Sequence, residues 1–453
     1  MSQSSSSYYL TLLKTKFREK KSKPFFKGGL GSLVIKFGNT FLQFGVGVAL
    51  ARTLGIEAFG IYTFVYAIIK ILAIPTELGL PNLLIRFIAQ YHSNKKWGEI
   101  KGLLKFTNGV VLVISVLIIS ISMGLVYGDV IDLSIERRVT FIWGLALLPV
   151  IALGNIRGAT LRGFKYFIVG LVPESILRHL FFLILLLLFS QIKGAKLSSV
   201  DGMFYHFIAA FLSYSFGAYW LFKYLPKQVR KSKSIIETKT WLSVALPFLV
   251  IGGLQIVMGR IDIVLIGIIS NSKNVGMYEV ALKAATLVSF SLSALNFILG
   301  PYFSKYFSEN NKVRLQKIAT VSVLFNTIIA AMISLVMILF GKGLLSFIFG
   351  AEFLGGYYSL VILIVAQLIS VTSGSVALLL NMSGHEKKVL YVMAFSMTIN
   401  VILNLIFIPK FGIEGAAFAT LASTAVWNIY LSLYCFKKID VNTSILSIFN
   451  IKL

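Results

Sequence analysis

The feature that most constrains this chain is a succession of apolar runs of membrane length, separated by short hydrophilic gaps. Hydrophobic residues make up 57% of the 453 residues and charged residues only 13%, whereas soluble proteins contain roughly 25% charged residues. An apolar run of about 20 residues is long enough to cross a bilayer as a helix, because helices satisfy all their backbone hydrogen bonds internally. The pattern therefore predicts an all-α integral membrane protein.

The apolar runs predict 12 transmembrane helices. They are centred on residues 30–51, 59–80, 106–127, 140–160, 167–190, 203–223, 243–269, 276–300, 318–340, 357–381, 388–408 and 413–435. Basic residues test this count, because short cytoplasmic loops are rich in Lys and Arg. With a cytoplasmic N-terminus, the inner segments hold 28 Lys and Arg residues and the outer gaps hold 8. We therefore expect a multi-pass protein of the cytoplasmic membrane with both termini in the cytoplasm.

The predicted spans divide into two lobes of six. The longest inner gap falls at the middle of the chain, and the run FGIY at residues 59–62 recurs as VGMY at residues 275–278, 216 positions later. Because six spans return the chain to its starting side, we expect a pseudo-two-fold axis along the membrane normal to relate the lobes. The predicted parts are a basic cytoplasmic N-terminal segment (residues 1–27), an N-lobe (28–224), a cytoplasmic linker (225–240), a C-lobe (241–436) and a cytoplasmic tail (437–453).

Composition argues against several classes of function. The net charge of +26 lies mostly in the gaps between spans, which membrane topology alone produces, so no nucleic-acid partner is expected. The single cysteine, Cys435, and four scattered histidines provide no metal-ligand spacing. No gap is long enough for a soluble catalytic domain. We therefore expect a transporter rather than an enzyme, with no cofactor, no catalytic residues and no metal site.

Local sequence in both predicted lobes resembles one membrane protein family. The runs ARTLGIEAFGIY at residues 51–62 and LGLPNLLIR at residues 78–86 are similar to the opening of the polysaccharide flippases of O-antigen and teichoic-acid type. The run RIDIVLIG at residues 260–267 resembles the start of the second half in that family, and FGIEGAA at residues 411–417 resembles its last hairpin. These proteins belong to the multidrug/oligosaccharidyl-lipid/polysaccharide exporter superfamily.

The resemblance implies a specific activity. Members move polyprenyl-diphosphate-linked oligosaccharides from the cytoplasmic to the outer leaflet by alternating access, through a cationic cavity between two six-helix lobes. It also implies membrane lipids as surroundings and polysaccharide polymerase or glycosyltransferases as candidate partners, and we expect a monomer. Two alternatives stay open: a cation-coupled multidrug exporter of the same fold, and a non-transporting membrane partner of a polysaccharide synthase.

Charged residues inside the predicted spans or at their edges give the candidate site. Arginine grips phosphate oxygens bidentately and lysine supplies a point charge, so the basic members are candidates for diphosphate binding. These candidates are Lys36, Lys70, Arg86, Arg178, Arg260 and Lys283. The alternatives are purely structural roles. Lys36 and Arg86 would extend to the membrane surface, and Arg178 and Lys283 would pair with acidic residues one helical turn away.

Three intramembrane carboxylates are candidates for coupling to an ion. Asp262, Glu174 and Glu279 are able to bind Na⁺ or a proton in one conformation and release it in another. Arg260 and Asp262 are two positions apart and point in different directions on a helix, so each needs a partner elsewhere. The chain has no Gly-rich phosphate-binding loop, which argues against direct hydrolysis of ATP.

Overall fold

The computed structural model describes residues 23–128, 134–194 and 196–450, and every regular element in these ranges is helical. The first half contains α1 (Lys23–Leu54), α2 (Ile56–Glu77), α3 (Leu80–Ser93), α4 (Trp97–Tyr127), α5 (Ile135–Gly163), α6 (Phe167–Val172), a π-helical turn (Pro173–Leu177), α7 (Arg178–Lys193), α8 (Ser199–Tyr224) and α9 (Lys227–Lys231). The second half contains α10 (Thr238–Met258), α11 (Ile261–Ile269), α12 (Ser272–Ala285), α13 (Phe290–Ser308), α14 (Lys312–Ile348), a 3₁₀ turn (Ala351–Gly356), α15 (Tyr357–Thr372), α16 (Val376–Met382), α17 (Glu386–Ile439) and a second 3₁₀ turn (Ile445–Asn450).

The helices confirm a multi-pass membrane protein. Nine helices of the described chain are long and apolar enough to cross a membrane, and the bent pair α12 and α13 makes ten. The predicted span at 203–223 corresponds to α8, which is not among these, and the spans at 388–408 and 413–435 both fall within α17. The count of 12 stays a prediction. Most of the predicted segment 1–27 and the last three residues of the predicted tail lie outside the described residues.

Helix α17 bends sharply at Gly412. This glycine has φ 58° and ψ −133°, a conformation that residues with a Cβ rarely adopt. Gly415 lies against the backbone of Phe407, so closely that a Cβ at residue 415 would clash with it. In a straight helix, residues eight positions apart are separated by about 12 Å. The chain therefore turns back on itself at this glycine.

The two halves of the chain meet closely at the end of α1 and the start of α2. The Arg52 side chain donates hydrogen bonds to the carbonyl oxygens of Phe347 and Ile348, the latter at 2.7 Å. Gly60 faces the backbone carbonyl of Ser272 with no room for a Cβ. The distribution of basic residues predicts that this end faces outward. These contacts close that end of the interface between the halves.

The segment between α8 and α10 is held against the opposite end of the first half. The backbone N–H of Ile235 donates to the carbonyl oxygen of Gly98 at 3.0 Å. The buried indole of Trp241 donates to the hydroxyl of Tyr91, which in turn donates to the carboxylate of Glu237 at 2.8 Å. The start of the second half is therefore anchored to α3 and α4.

A break between α10 and α11 positions the charge pair of the seventh predicted span. Helix α10 continues past Pro247 to Met258, and α11 begins at Ile261. Arg260 lies in the break with φ −135° and ψ −15°, while Asp262 lies in the first turn of α11. Because the two residues lie on either side of the start of α11, their side chains reach different surroundings.

Candidate functional site

A cavity of about 160 Å³ lies between the two halves of the chain. Helices α1, α2, α7 and α8 line it from the first half, and the α10–α11 break and α12 line it from the second. Its lining includes one carboxylate, Glu279, and four basic residues: Lys70, Arg178, Arg260 and Lys283. Four of the six predicted diphosphate-binding residues therefore share one cavity.

Glu279 is the buried centre of the charge cluster on the second half. Its Oε1 lies 3.2 Å from Nζ of Lys283, and its Oε2 lies 3.6 Å from Nη1 of Arg260. Only 4% of Glu279 is exposed, whereas the Arg260 and Lys283 side chains are 28% and 26% exposed. One carboxylate faces two cations, so one positive charge is left uncompensated and accessible from the cavity.

Glu174 forms a matching cluster on the first half, just behind the cavity wall. It lies in the π-helical turn before α7, and π-turns within helices are often found at functional sites. Its Oε1 accepts a hydrogen bond from Nη2 of Arg157 at 2.7 Å, and its Oε2 lies 3.6 Å from Nη1 of Arg178. Gly154 provides the space, because a Cβ there would collide with the carboxylate. Glu174 is thus occupied by two arginines.

Arg178 has hydrogen-bonding capacity to spare. Its Nε and Nη1 are buried and make no hydrogen bond among the described residues, and the contact of Nη1 with Glu174 is an ion pair at 3.6 Å. Buried donors are rarely left unpaired, since each costs about 1–3 kcal/mol. A ligand with several acceptor oxygens in the cavity would satisfy them once the Arg178 side chain moved towards it.

Aromatic and imidazole groups form the remaining wall. The hydroxyl of Tyr62 and Nδ1 of His206 are 2.8 Å apart, and the His206 ring stacks on Phe182 with centroids 4.6 Å apart. Tyr66 and Lys70 follow Tyr62 along one face of α2 at four-residue intervals, and Nζ of Lys70 lies 5.3 Å from the Tyr66 ring centroid. These tyrosines were not among the predicted site residues, although their four-residue spacing on one helix face is a signal that could have identified them.

Asp262 is buried in a separate polar cluster away from the cavity. Its Oδ1 accepts from Nδ2 of Asn404 at 2.7 Å, and its Oδ2 accepts from the hydroxyls of Tyr278, at 2.9 Å, and Thr420. Oδ1 of Asn400 lies 3.0 Å from the Asn404 amide nitrogen. Oδ1 of Asn404 is buried and without a hydrogen-bond partner in the described ranges. This cluster joins α11 and α12 to both sides of the α17 bend and is rich in oxygen ligands, which hard cations prefer.

Two predicted diphosphate-binding residues lie outside the central cavity. Lys36 borders a second cavity of about 260 Å³, where its Nζ lies 3.9 Å from the ring centroid of Phe297. Arg86 is exposed on α3, with its guanidinium carbon 5.9 Å from the Phe87 ring centroid. Their capture of substrate at the inner mouth stays a prediction.

Comparisons with known proteins fit this architecture. The model of the family described as "Polysaccharide biosynthesis protein" matches residues 25–307. The probable low-salt glycan biosynthesis flippase Agl15 of Haloferax volcanii is 30% identical over 173 residues, which span 36% of this chain and 35% of that protein. The matched region is thus about a third of the length of that curated relative.

Solved structures show the same fold. An inward-facing multidrug resistance transporter of the MATE family, in the MOP superfamily, superposes with a TM-score of 0.75 at 16% identity, covering 91% of this chain and 98% of the other. The lipid II flippase MurJ in an inward closed conformation superposes with a TM-score of 0.71 at 14% identity, covering 92% and 91%. At these identities the likeness concerns the fold alone.

Proposed function

Because this chain belongs to the family of polysaccharide biosynthesis proteins, we propose that it is a flippase for polyprenyl-diphosphate-linked oligosaccharide, acting from the cytoplasmic to the outer leaflet. The observation that carries the proposal is the central cavity, which is lined by four basic side chains and one carboxylate among the described residues. A diphosphate presents several oxygens and more than one negative charge, which arginine and lysine bind well in a site shielded from water. The flippase named among the relatives supports the same class of cargo.

The proposed topology has 12 spans with both termini in the cytoplasm. Three observations support it: the ten apolar spans that include the bent pair, the reversal at Gly412 that divides α17, and the 26-residue helix α8. Residues 28–224 and 241–436 are the two proposed lobes, joined by residues 225–240. In this topology the cavity lies between the lobes, where transporters built from repeats place their substrates.

Transport follows by alternating access. Contacts such as Gly60 against Ser272 close the predicted outer end, so the substrate enters from the opposite side. The diphosphate then draws Arg178 from the first half and Arg260 and Lys283 from the second towards a common anion. Opening of the outer contacts and closure of the inner end release the substrate in the other leaflet.

The Asp262 cluster is the proposed site of the coupling ion, Na⁺ or a proton. Asp262 holds α11 to α17 through Asn404 and Thr420, and Arg260 is two residues away at the start of α11. A cation or proton at Asp262 changes how firmly the first turn of α11 is held and therefore where Arg260 lies. Glu174 and Glu279 are weaker candidates, because each is already paired with two basic residues.

We expect Asp262→Asn to abolish the dependence of translocation on an ion gradient. Coupling free energies of 1–3 kcal/mol correspond to a stimulation of about 5- to 150-fold, which the variant should lose while retaining the basal rate. The measurement is the initial translocation rate in vesicles with imposed Na⁺ or pH gradients. Glu386→Gln, an exposed carboxylate on α17, is the matched control and should behave as wild type. Full gradient stimulation in Asp262→Asn would refute this assignment.

The alternative of a multidrug exporter requires a cavity of the opposite sign. An organic cation would meet the four basic side chains that line this cavity and be repelled. Reconstituted vesicles separate the two functions, since the flippase translocates the lipid-linked oligosaccharide and the exporter carries a quaternary ammonium compound. Activity that appears only when a polysaccharide synthase is added would support the remaining alternative, a non-transporting partner.

A further inference from the structure

The first half contains a crevice that is distinct from the central cavity. It has a volume of about 240 Å³ and lies between α4, α5 and α8. Leu104, Ile156, Leu221 and Phe222 give it a mainly apolar lining. Phe222 is 67% exposed, in a helix predicted to span the membrane, so the crevice opens towards lipid. Its size and lining suit part of an acyl chain.

A basic ledge adjoins this crevice. The ledge is a shallow hollow of about 500 Å³ that shares Leu104, Asn108 and Leu225 with the crevice, so the two are continuous. Its basic residues are Lys101, Lys105 and Arg230, and no carboxylate is among the described residues that line it. An anionic group at the ledge would therefore meet three cations.

The ledge is held in place by the segment between α8 and α10. Nζ of Lys101 donates to the carbonyl oxygens of Arg230 at 2.7 Å and Ser232 at 2.8 Å. The guanidinium carbon of Arg230 lies 3.9 Å from the ring centroid of Phe222, at the edge of the crevice. Lys101 and Arg230 are thus held beside the apolar crevice, while the Lys105 side chain is exposed and can bind an anionic group.

We propose that this composite site binds an anionic phospholipid, with its phosphate on the ledge and an acyl chain in the crevice. Basic pockets between transmembrane helices on the cytoplasmic side bind anionic headgroups, and the distribution of basic residues predicts that the ledge faces the cytoplasm. The charge of the ledge matches a net negative headgroup better than a zwitterionic one. This site is separate from the site of the transported substrate, because its lipid stays bound on the lipid-facing surface of the first half.

One buried residue, Arg157, connects the crevice to the central cavity. Arg157 lines the crevice, is 3% exposed, and has an Nε without a hydrogen-bond partner in the described part of the chain. Its Nη2 donates to Glu174, which also faces Arg178 in the central cavity. A lipid against Arg157 therefore supports the network that positions Arg178.

The test uses full-length protein in detergent, titrated with phosphatidylglycerol or phosphatidylcholine and followed by native mass spectrometry and thermal unfolding. We expect wild type to bind phosphatidylglycerol roughly 30-fold more tightly than phosphatidylcholine, since two exposed basic residues favour the anionic headgroup. The double variant Lys105→Gln with Arg230→Gln should lose this preference. The control double variant Arg314→Gln with Lys317→Gln, which removes one arginine and one lysine exposed at the start of α14, should keep it.

A second variant tests the crevice separately from the charge. Ala218→Trp should fill the crevice and weaken binding of both lipids while the ledge is unchanged. If the tryptophan variant does not fold, Ala218→Leu should weaken binding of both lipids to a smaller extent. Wild-type lipid binding in both the ledge variant and the folded crevice variant would overturn the proposal. Equal loss of preference in the Arg314 and Lys317 control would also overturn it, because attraction would then be a property of the whole basic surface.

Discussion

Replacing Arg260 with glutamine should slow translocation of a lipid-linked oligosaccharide by roughly 10- to 100-fold. A hydrogen bond to a charged group contributes about 1.5–3 kcal/mol, and the variant loses one such bond to the diphosphate. Lys283→Gln should have an effect of similar size, since both side chains face the cavity and share Glu279. The measurement is the initial rate in reconstituted vesicles at a fixed protein-to-lipid ratio.

The control for these two variants is Lys273→Gln. Lys273 is also basic and on α12, but it is exposed near the predicted outer end of that helix and does not line the cavity. It should translocate at the wild-type rate. Wild-type rates in both Arg260→Gln and Lys283→Gln would show that the cavity cations do not bind the substrate.

Glu174→Gln should lower the free energy of unfolding by about 3–5 kcal/mol, because removing one partner of a buried ion pair leaves the other charge uncompensated. Arg157 has a side chain only 4% exposed and would lose its carboxylate, while Arg178 would lose its neighbour. The measurement is chemical denaturation in detergent, followed by intrinsic fluorescence. A second replacement, Arg157→Gln, should recover part of the loss by removing the stranded charge.

Glu352→Gln provides the comparison for this stability prediction. Glu352 pairs with Lys196 at 3.4 Å, and both side chains are substantially exposed, at 34% and 65%. Exposed pairs contribute about 0–1 kcal/mol, so this variant should unfold almost as wild type does. If Glu174→Gln were no more destabilising than Glu352→Gln, the buried cluster would not stabilise the first half.

Local ion pairs of the site follow from the sequence because helix geometry is local. Glu174 with Arg178, and Glu279 with Lys283, are four residues apart, and both pairs are present. These ion pairs were the structural alternative to a role in substrate binding, yet they do not exclude such a role. Each carboxylate has a second basic neighbour, and Arg178 and Lys283 still line the cavity.

Partners that are distant in the chain could not be predicted in the same way. The spacing of Arg260 and Asp262 indicates that each needs a separate partner, but it does not name them. Arg260 meets Glu279 across the α11–α12 turn, and Asp262 meets Asn404, which is 142 residues away. Such contacts depend on how helices pack, which one sequence does not encode in any short pattern.

Depth within a span was also an incomplete guide. Lys36 lies in a predicted span, as the cavity residues do, and Arg86 lies just beyond the cytoplasmic end of one, yet Lys36 packs over Phe297 and Arg86 is exposed. The rotation of a helix about its axis decides which face meets the cavity, and an apolar run with a weak amphipathic pattern does not specify that rotation. Helix existence was therefore predictable, while the membership of the site was predictable only in part.

Translocation of a polyprenyl-diphosphate-linked oligosaccharide in vesicles tests the central claim most directly. The substrate carries a fluorescent sugar, and a membrane-impermeant quencher reports how much reaches the opposite leaflet. We predict rapid translocation with wild-type protein, slow translocation with Arg260→Gln, and no uptake of a quaternary ammonium compound by either. Transport of the organic cation by wild-type vesicles in which the lipid-linked oligosaccharide stays in its original leaflet would contradict the account.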